Sequence, residues 1–164
     1  MKKPRKEWIP RFRDTQWKTT AEMEEWVRDE LPKPERALCL ILCGPTRLGK
    51  TEWARHLFPD AHMYFRGMFN LDKWNANAKV LIIDDIEWDF IPQKKTVLTQ
   101  MGEGTLTDKY RHKTTIYVDM PAIVLCNTIP DFGKEGEYWI GNFYNHCIFP
   151  PIFSFFPKVR YCVT

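Results

Sequence analysis

Unbroken apolar runs alternate with polar segments along most of the chain. Residues 37–43 (ALCLILC), 79–83 (KVLII) and 122–126 (AIVLC) are apolar at nearly every position, which is typical of strands buried on both faces of a sheet. Shorter runs at residues 61–65 and 144–149 predict two further strands. The chain is therefore expected to build its core around a sheet.

The segment before the first buried strand carries a helical pattern. A capping-box pattern at residues 19–22 predicts the start of a helix, because a Thr and a Glu three residues apart can each bond the other's backbone N–H. In the residues that follow, Met23, Trp26, Val27 and Leu31 fall on one helical face. This face is expected to pack against the sheet.

Further elements are predicted between the other strands. The patterns indicate helices over residues 50–58 and 92–101, and a β-hairpin over residues 102–119. Apolar strands that alternate with helices are typical of a largely parallel sheet with both faces covered. The expected fold class is α/β, a mostly parallel sheet flanked by helices with an inserted β-hairpin.

The chain of 164 residues suffices for one domain with its own core. We expect a basic tail or linker over residues 1–18, an N-terminal helix and linker over residues 19–36, and the main domain over residues 37–164. Six cations of the first part suit a solvated tail, a nuclear localisation signal or a DNA-contacting arm: Lys2, Lys3, Arg5, Lys6, Arg11 and Arg13.

Composition excludes several function classes. A net charge of +3 permits a nucleic-acid partner without requiring one. Five cysteines form no CxxC pair, and Cys39, Cys43 and Cys126 lie in apolar runs, so they are expected to be buried thiols. The sequence contains neither a signal-peptide pattern nor a run of about 20 apolar residues. The protein is expected to be soluble and intracellular, without a membrane partner.

The segment GPTRLGKT is the strongest chemical signal in the chain. It fits the pattern G-x-x-x-x-G-K-[ST], follows a predicted strand and precedes a predicted helix, as a phosphate-binding loop must. Its glycines let backbone N–H groups face phosphate oxygens, and the helix N-terminus favours an anion. We expect ATP to bind to the whole loop, namely Gly44, Pro45, Thr46, Arg47, Leu48, Gly49, Lys50 and Thr51. Lys50 would reach the β- and γ-phosphates, and the Thr51 hydroxyl would bind Mg²⁺.

Polar side chains directly follow two of the predicted strands. Asp84 and Asp85 come after KVLII, and Asn127 comes after AIVLC. Beside the loop, Asp84 is suited to Mg²⁺, Asp85 to orienting or deprotonating water, and Asn127 to sensing the γ-phosphate. A small-molecule kinase would share the loop but needs no acid that activates water. ATP hydrolysis is therefore favoured, with Lys50, Asp85 and Asn127 as catalytic residues and Thr51 and Asp84 as Mg²⁺ ligands.

Cations crowd an aromatic residue in the middle of the predicted hairpin, in the segment DKYRHK. Alternating cations and aromatic rings suit the backbone and bases of single-stranded DNA, although a charged run also suits a solvated face. The candidate DNA contacts are Lys109, Tyr110, Arg111 and Lys113.

The segments GPTRLGKTEWARHL, KVLIIDDIEW, TDKYRHKTT and AIVLCNTIP together resemble a known family. They are similar to the superfamily 3 helicase (ATPase) domain of the replication-initiator proteins (Rep) of circular single-stranded DNA viruses. GKTEWAR and YFRG resemble the geminivirus and genomovirus branch in particular, which includes gene fragments integrated into host genomes.

The resemblance, over about residues 20–150, implies a P-loop NTPase core of AAA+-like fold and a location in the host nucleus. It also implies a homo-oligomeric ring that hydrolyses ATP between subunits and moves along DNA in rolling-circle replication. By resemblance, Lys50 and Thr51 form the Walker A pair, Asp84 and Asp85 are the Walker B acids, and Asn127 is the sensor.

Two features depart from that family. Its full-length members carry a nicking domain with a His-hydrophobic-His motif, and no His-x-His occurs here, so the chain is not expected to nick DNA by itself. An arginine finger is expected after the sensor, yet no Arg lies between Arg111 and Arg160, and Lys134 is a weak substitute. A second hypothesis therefore stays open: a truncated, integrated copy that binds ATP and DNA, or interferes with rings of intact initiator, with little turnover.

Overall fold

The computed structural model of the protein describes residues 7–107, 113–140, 143–147 and 159–161. In chain order its regular elements are β1 (Gln16–Lys18), α1 (Ala21–Asp29), β2 (Cys39–Cys43), α2 (Lys50–Leu57), β3 (His62–Arg66), β4 (Val80–Asp84), α3 (Lys94–Leu98), β5 (Gly102–Leu106), β6 (Thr114–Val118), β7 (Ala122–Cys126), α4 (Gly136–Ile140), β8 (Phe143–Cys147) and β9 (Val159–Tyr161). Short 3₁₀ turns occur at Leu71–Lys73, Trp88–Phe90 and Gly133–Glu135.

A parallel sheet in the order β3-β4-β7-β2-β8 forms the centre of the fold. Four of its strands, from β3 to β2, are joined by parallel registers, and β8 adds a fifth strand beside β2. β2 and β4 are buried at every position, as their apolar sequences predicted. The predicted α/β class with a mostly parallel sheet is confirmed.

Successive side chains of the central strands pack on opposite faces of the sheet. Ile41 belongs to the cluster that includes residues of α3 and of the β5–β6 hairpin, whereas Leu40 and Leu42 pack with α1 and α2. Full burial of each such side chain contributes about 1.5–3 kcal/mol to folding. Both faces of the sheet are thus covered, and its carboxyl edge stays open for polar residues.

The first helix begins one residue later than the capping box predicted. Thr20 is the N-cap, and its hydroxyl accepts a hydrogen bond from the Met23 backbone N–H at 3.3 Å. Because Met23 then occupies the position of the expected Glu, the reciprocal bond cannot form. Thr19 instead donates to Glu24 at 2.7 Å. The predicted pairing across residues 19–22 is therefore wrong, although Met23 and Trp26 are fully buried as predicted.

Residues 8–17 pack against the body of the protein, where a solvated tail was expected. The rings of Trp8, Phe12 and Trp17 lie 5.2, 5.8 and 5.5 Å from the imidazole of His56 in α2, measured between centroids. β1 also pairs in parallel with β9. Aromatic residues spaced along an aperiodic segment gave no helical or strand pattern, so the sequence did not reveal this docking. The division of the chain into domains stays a prediction.

The predicted helix over residues 92–101 is shorter in the structure. Only Lys94–Leu98 is α-helical, and the Thr99 hydroxyl donates to the Lys95 carbonyl at its end. Gln100 follows with a φ of 51°, in the left-handed region that no helix interior contains. The helix therefore ends at Leu98, and three residues separate it from β5.

Gln100 joins three segments of the chain through its buried amide. Its oxygen accepts from the Ala37 N–H at 3.1 Å, and its nitrogen donates to the carbonyls of Lys33 and Asp119 at 3.1 and 2.6 Å.

Replacing Gln100 with Ala is expected to lower the free energy of unfolding by about 1–3 kcal/mol, because buried polar groups lose their partners. Urea denaturation measures the loss, and Gln16→Ala, at an exposed position, is the control. Equal midpoints for the two variants would contradict this role.

Candidate functional site

The loop of residues 44–49 connects β2 to α2 at the carboxyl edge of the sheet. The Gly44 N–H donates to the Cys126 carbonyl at 3.1 Å, which ties the start of the loop to the end of β7. Gly49, directly before the first residue of α2, has a φ of 86°. This left-handed conformation is readily adopted by glycine and rarely by residues with a side chain. Arg47 also has a positive φ, of 66°. The loop therefore turns tightly and opens onto the N-terminus of a two-turn helix.

The Lys50 ammonium group lies over this loop. Its Nζ donates to the carbonyls of Gly44 and Pro45 at 2.6 and 2.7 Å, and to Asn127 Oδ1 at 3.4 Å. The side chain is buried, at 8% exposure. Lys50 and Asn127 are 77 positions apart in the sequence, and the structure brings their side chains into contact.

The Asp84 carboxylate ends β4 and is bonded to two hydroxyl groups. Its Oδ2 accepts from Thr51 Oγ at 2.9 Å and from the Tyr64 hydroxyl at 2.7 Å. Burial first, and the bond to Asp84 second, raise the pKa of Tyr64, so the phenol is protonated and donates. Thr51 and Asp84 therefore meet as the sequence predicted, and Tyr64 is a partner that it did not predict.

Asp85 differs from Asp84 in both backbone and surroundings. Its φ is 52°, so the chain turns out of the strand at this residue. Its side chain is 48% exposed and lies 3.6 Å from the Arg66 guanidinium, which is itself 68% exposed. The two adjacent acids thus have separate environments, one buried and bonded to hydroxyls, the other open to solvent.

A cavity of about 350 Å³ opens at this edge. Small-molecule sites in proteins have volumes of about 300–1,000 Å³. It is lined by residues 46–52, 66, 84, 85 and 125–127. Gly44 and Pro45 contribute through their carbonyls on Lys50. Arg66 and Glu52 also line the cavity, although the sequence did not predict them. Arg66 could not be predicted because no local pattern shows that β3 lies beside β4.

The predicted hairpin is confirmed, with β5 and β6 paired antiparallel from Gly102↔Val118 to Leu106↔Thr114. Lys113 precedes β6 and is exposed. Lys109, Tyr110 and Arg111 lie outside the described residues, so the DNA contacts of the hairpin stay a prediction. No described hairpin residue lines the cavity.

Other candidate groups lie away from the cavity or are chemically inert. Lys134 is exposed in the turn Gly133–Glu135 and does not line the cavity. Cys39 and Cys43 are buried free thiols, as predicted, whereas Cys126 is only partly buried, and burial raises the pKa of Cys39. Within the described ranges, no three His, Cys, Asp or Glu side chains are grouped to hold a metal ion by themselves. None of the helices in that same part of the chain is long and apolar enough to cross a bilayer.

Sequence comparison gives the relationships of this chain. Residues 1–53 match the family model described as the geminivirus rep protein central domain. The replication-associated protein of Chloris striate mosaic virus is 38% identical over 120 residues, 71% of this chain and 31% of the relative. The replication-associated protein of Bean yellow dwarf virus is 29% identical, over 85% of this chain and 44% of the relative. That of Tobacco yellow dwarf virus (strain Australia) is 33% identical, over 73% of this chain and 36% of the relative.

The chain therefore spans less than half the length of these three relatives. The predicted relationship to geminivirus Rep is confirmed. The matching family model is that of the Rep central domain, so the assignment to the helicase domain stays a prediction.

Proposed function

We propose that this chain, a homologue of the geminivirus replication-associated proteins, binds ATP with Mg²⁺ in the cavity at the carboxyl edge of its sheet and hydrolyses it to drive movement on DNA. One observation carries this proposal. Lys50, the Thr51–Asp84 pair and Asn127, from three different parts of the sequence, converge on one cavity.

The loop is suited to a polyphosphate. Lys50 offers a cation that is held by two loop carbonyls and by Asn127, and it can exchange these acceptors for phosphate oxygens. The N-terminus of α2 presents the positive end of its dipole to the same space, which favours an anion there. ATP would place its β- and γ-phosphates between Lys50 and the start of α2.

The Thr51 hydroxyl and the Asp84 carboxylate suit Mg²⁺. They lie 2.9 Å apart, close enough to serve one ion directly or through its bound water. Proteins usually bind Mg²⁺ with one or two oxygen ligands while phosphates and water complete the octahedron. When bound, the ion would neutralise charge on the transferred phosphoryl group.

Asp85 is suited to activating water because the residue lines the cavity and its side chain is accessible to solvent. Its 3.6 Å ion pair with Arg66 joins two exposed groups, and such pairs contribute only about 0–1 kcal/mol. The carboxylate is therefore available to orient a water molecule and accept its proton. Asn127, bonded to Lys50, is suited to contacting the terminal phosphate or that water.

The DNA part of the proposal is supported by the relatives and by the hairpin. The relatives are named replication-associated proteins. By analogy we propose single-stranded DNA as a partner, a homo-oligomeric ring, and action in the nucleus of the host cell.

Steady-state ATP hydrolysis, measured with and without single-stranded DNA and with Mg²⁺ or a chelator, tests the catalytic function.

The second candidate function is an ATP- and DNA-binding module with little turnover that interferes with intact initiator. The observation that favours it is that no Arg lies between Arg111 and Arg160, in the part of the sequence after Asn127 where a trans-acting arginine finger is expected. Tight ATP binding without hydrolysis, in the presence of DNA, would select this function.

Replacing Lys109, Arg111 and Lys113 with Ala is expected to weaken single-stranded DNA binding with little dependence on sequence. The slope of log affinity against log salt should shrink by roughly 0.7 per lost phosphate contact. Tyr110→Ala should weaken the free energy of DNA binding by about 1–3 kcal/mol, because stacking on a base is lost, and should leave that slope unchanged. Fluorescence anisotropy of a labelled oligonucleotide over a range of salt concentrations measures both effects.

ATP affinity should stay unchanged in these variants, because the described hairpin residues lie outside the cavity. Lys79→Ala, an exposed cation at the opposite edge of the sheet, is the control. If the triple variant keeps the wild-type salt slope, DNA binds elsewhere, and the basic residues 1–13 are the next to test.

A further inference from the structure

Tyr64 holds the carboxylate that the proposed function assigns to Mg²⁺. Its hydroxyl donates to Asp84 Oδ2 at 2.7 Å, and the same oxygen accepts from Thr51. Asp84 is only 7% exposed, so these hydroxyls replace solvent around the buried oxygen. Tyr64 reaches Asp84 from the neighbouring strand, because β3 and β4 pair in parallel with Tyr64 opposite Ile82.

The Tyr64 ring is itself held by a stacked cation. The Arg55 guanidinium lies over the Tyr64 ring at 4.2 Å from its centroid and over the Trp8 ring at the same distance. Arg55 Nε also donates to His62 Nε2 at 3.0 Å, which fixes the plane of the guanidinium. Trp8, Arg55 and Tyr64 therefore form one layered stack that ends at Asp84.

Trp8 connects this stack to the segment before α1. Its indole N–H lies 3.4 Å from Glu52 Oε1, and Glu52 lines the cavity. Its ring packs edge-on against His56 and His62 at centroid distances of 5.2 and 5.0 Å. A residue 76 positions away in the sequence is thus joined to Asp84 by consecutive contacts.

We propose that Tyr64 is the positioning residue of the Asp84 carboxylate, and that Trp8, through Arg55, holds Tyr64 in place, so that docking of the N-terminal segment sets the affinity of the site for Mg²⁺. This inference rests on the ATP function proposed above. Hydrogen-bonded partners of metal ligands orient those ligands, and their loss typically lowers metal affinity about 10–100-fold. Trp8 and Tyr64 do not line the cavity themselves, so their effect on nucleotide affinity should appear mainly when Mg²⁺ is present.

The test compares the affinity for a non-hydrolysable ATP analogue in Mg²⁺ with that in a chelator, by calorimetry on the full chain. Tyr64→Phe keeps the ring but removes the hydroxyl. It should lower the affinity in Mg²⁺ about tenfold and change the affinity in chelator less than about twofold. Trp8→Ala should lower the affinity in Mg²⁺ about threefold, because one cation–π contact is lost. Trp8→Tyr keeps an aromatic face for Arg55 and should restore most of the Mg²⁺-dependent affinity.

Controls separate positioning from general damage. Ile9→Ala changes an adjacent, exposed side chain and should leave both affinities unchanged. Trp8→Ala should have no further effect on Mg²⁺-dependent affinity in the Tyr64→Phe background, because the bond that it positions is already absent. Thermal denaturation of each variant confirms that it is folded.

Three outcomes would overturn the inference. Tyr64→Phe binding the analogue as wild type does in Mg²⁺ would exclude a positioning role. Equal losses in Mg²⁺ and in chelator would assign Tyr64 to the fold alone. A Trp8→Ala loss that persists in the Tyr64→Phe background would show that the N-terminal segment acts by another route. Failure of the wild-type chain to bind the analogue in either condition would instead remove the proposed function, and it is detected before any variant is compared.

Discussion

Replacing Lys50 with Ala is expected to abolish ATP hydrolysis and to weaken ATP binding roughly 10–100-fold. Lys50 is the buried cation of the loop, and hydrogen bonds between charged groups contribute about 1.5–3 kcal/mol each. Turnover should fall further than affinity, since Lys50 would stabilise the charge that is redistributed over the phosphate oxygens in the transition state more than it stabilises bound ATP. Isothermal titration with ATP and a phosphate-release assay measure the two effects.

The matched control is Lys79→Ala, which removes an exposed cation directly before β4, on the opposite edge of the sheet. It should leave binding and hydrolysis unchanged. Unaltered turnover in Lys50→Ala, with a wild-type circular dichroism spectrum, would end the P-loop interpretation.

Asp84→Asn and Asp85→Asn are expected to have different effects. Asp84 is bonded to Thr51, so loss of its charge should remove the Mg²⁺-dependent part of nucleotide affinity. Asp85 is exposed and makes no described contact with the loop, so Asp85→Asn should still bind ATP with Mg²⁺. Its turnover should fall by about 10²–10⁴-fold, the usual contribution of a general base. Calorimetry and phosphate release separate the two roles.

Asp89→Asn provides the matched control, because Asp89 is exposed and lies outside the lining of the cavity. It should behave as wild type in both assays. If both Asp84→Asn and Asp85→Asn bind and hydrolyse ATP normally, the two acids merely form the turn after β4.

The buried strands were predictable because unbroken apolar runs of about five residues are typical of strands that are buried on both faces of a sheet. β7 occupies the predicted residues, and β4 is shifted by one residue so that Asp84 ends the strand. The capping box was misplaced because two consecutive Thr residues offer alternative N-caps. Only the backbone angles of Thr20 decide between them.

The site was partly predictable for a similar reason. Parallel strands that follow one another across helices end at the same edge of a sheet, so residues after β2, β4 and β7 were expected to meet there. Lys50 and Asn127 do meet, and so do Thr51 and Asp84. Arg66 was missed because the place of β3 in the sheet depends on which strands pair.

The sequence by itself therefore determined the class of fold, the loop that opens α2 and the polar residues at the strand ends, because each depends on contiguous residues. Only the tertiary structure decided that β3 lies beside β4 and that residues 8–17 dock on α2. These two arrangements bring the Tyr64 hydroxyl to the Asp84 carboxylate and the Trp8 ring to the Arg55 guanidinium. Such contacts join segments whose order in space follows from packing and strand pairing, which no local pattern of apolar and polar positions encodes.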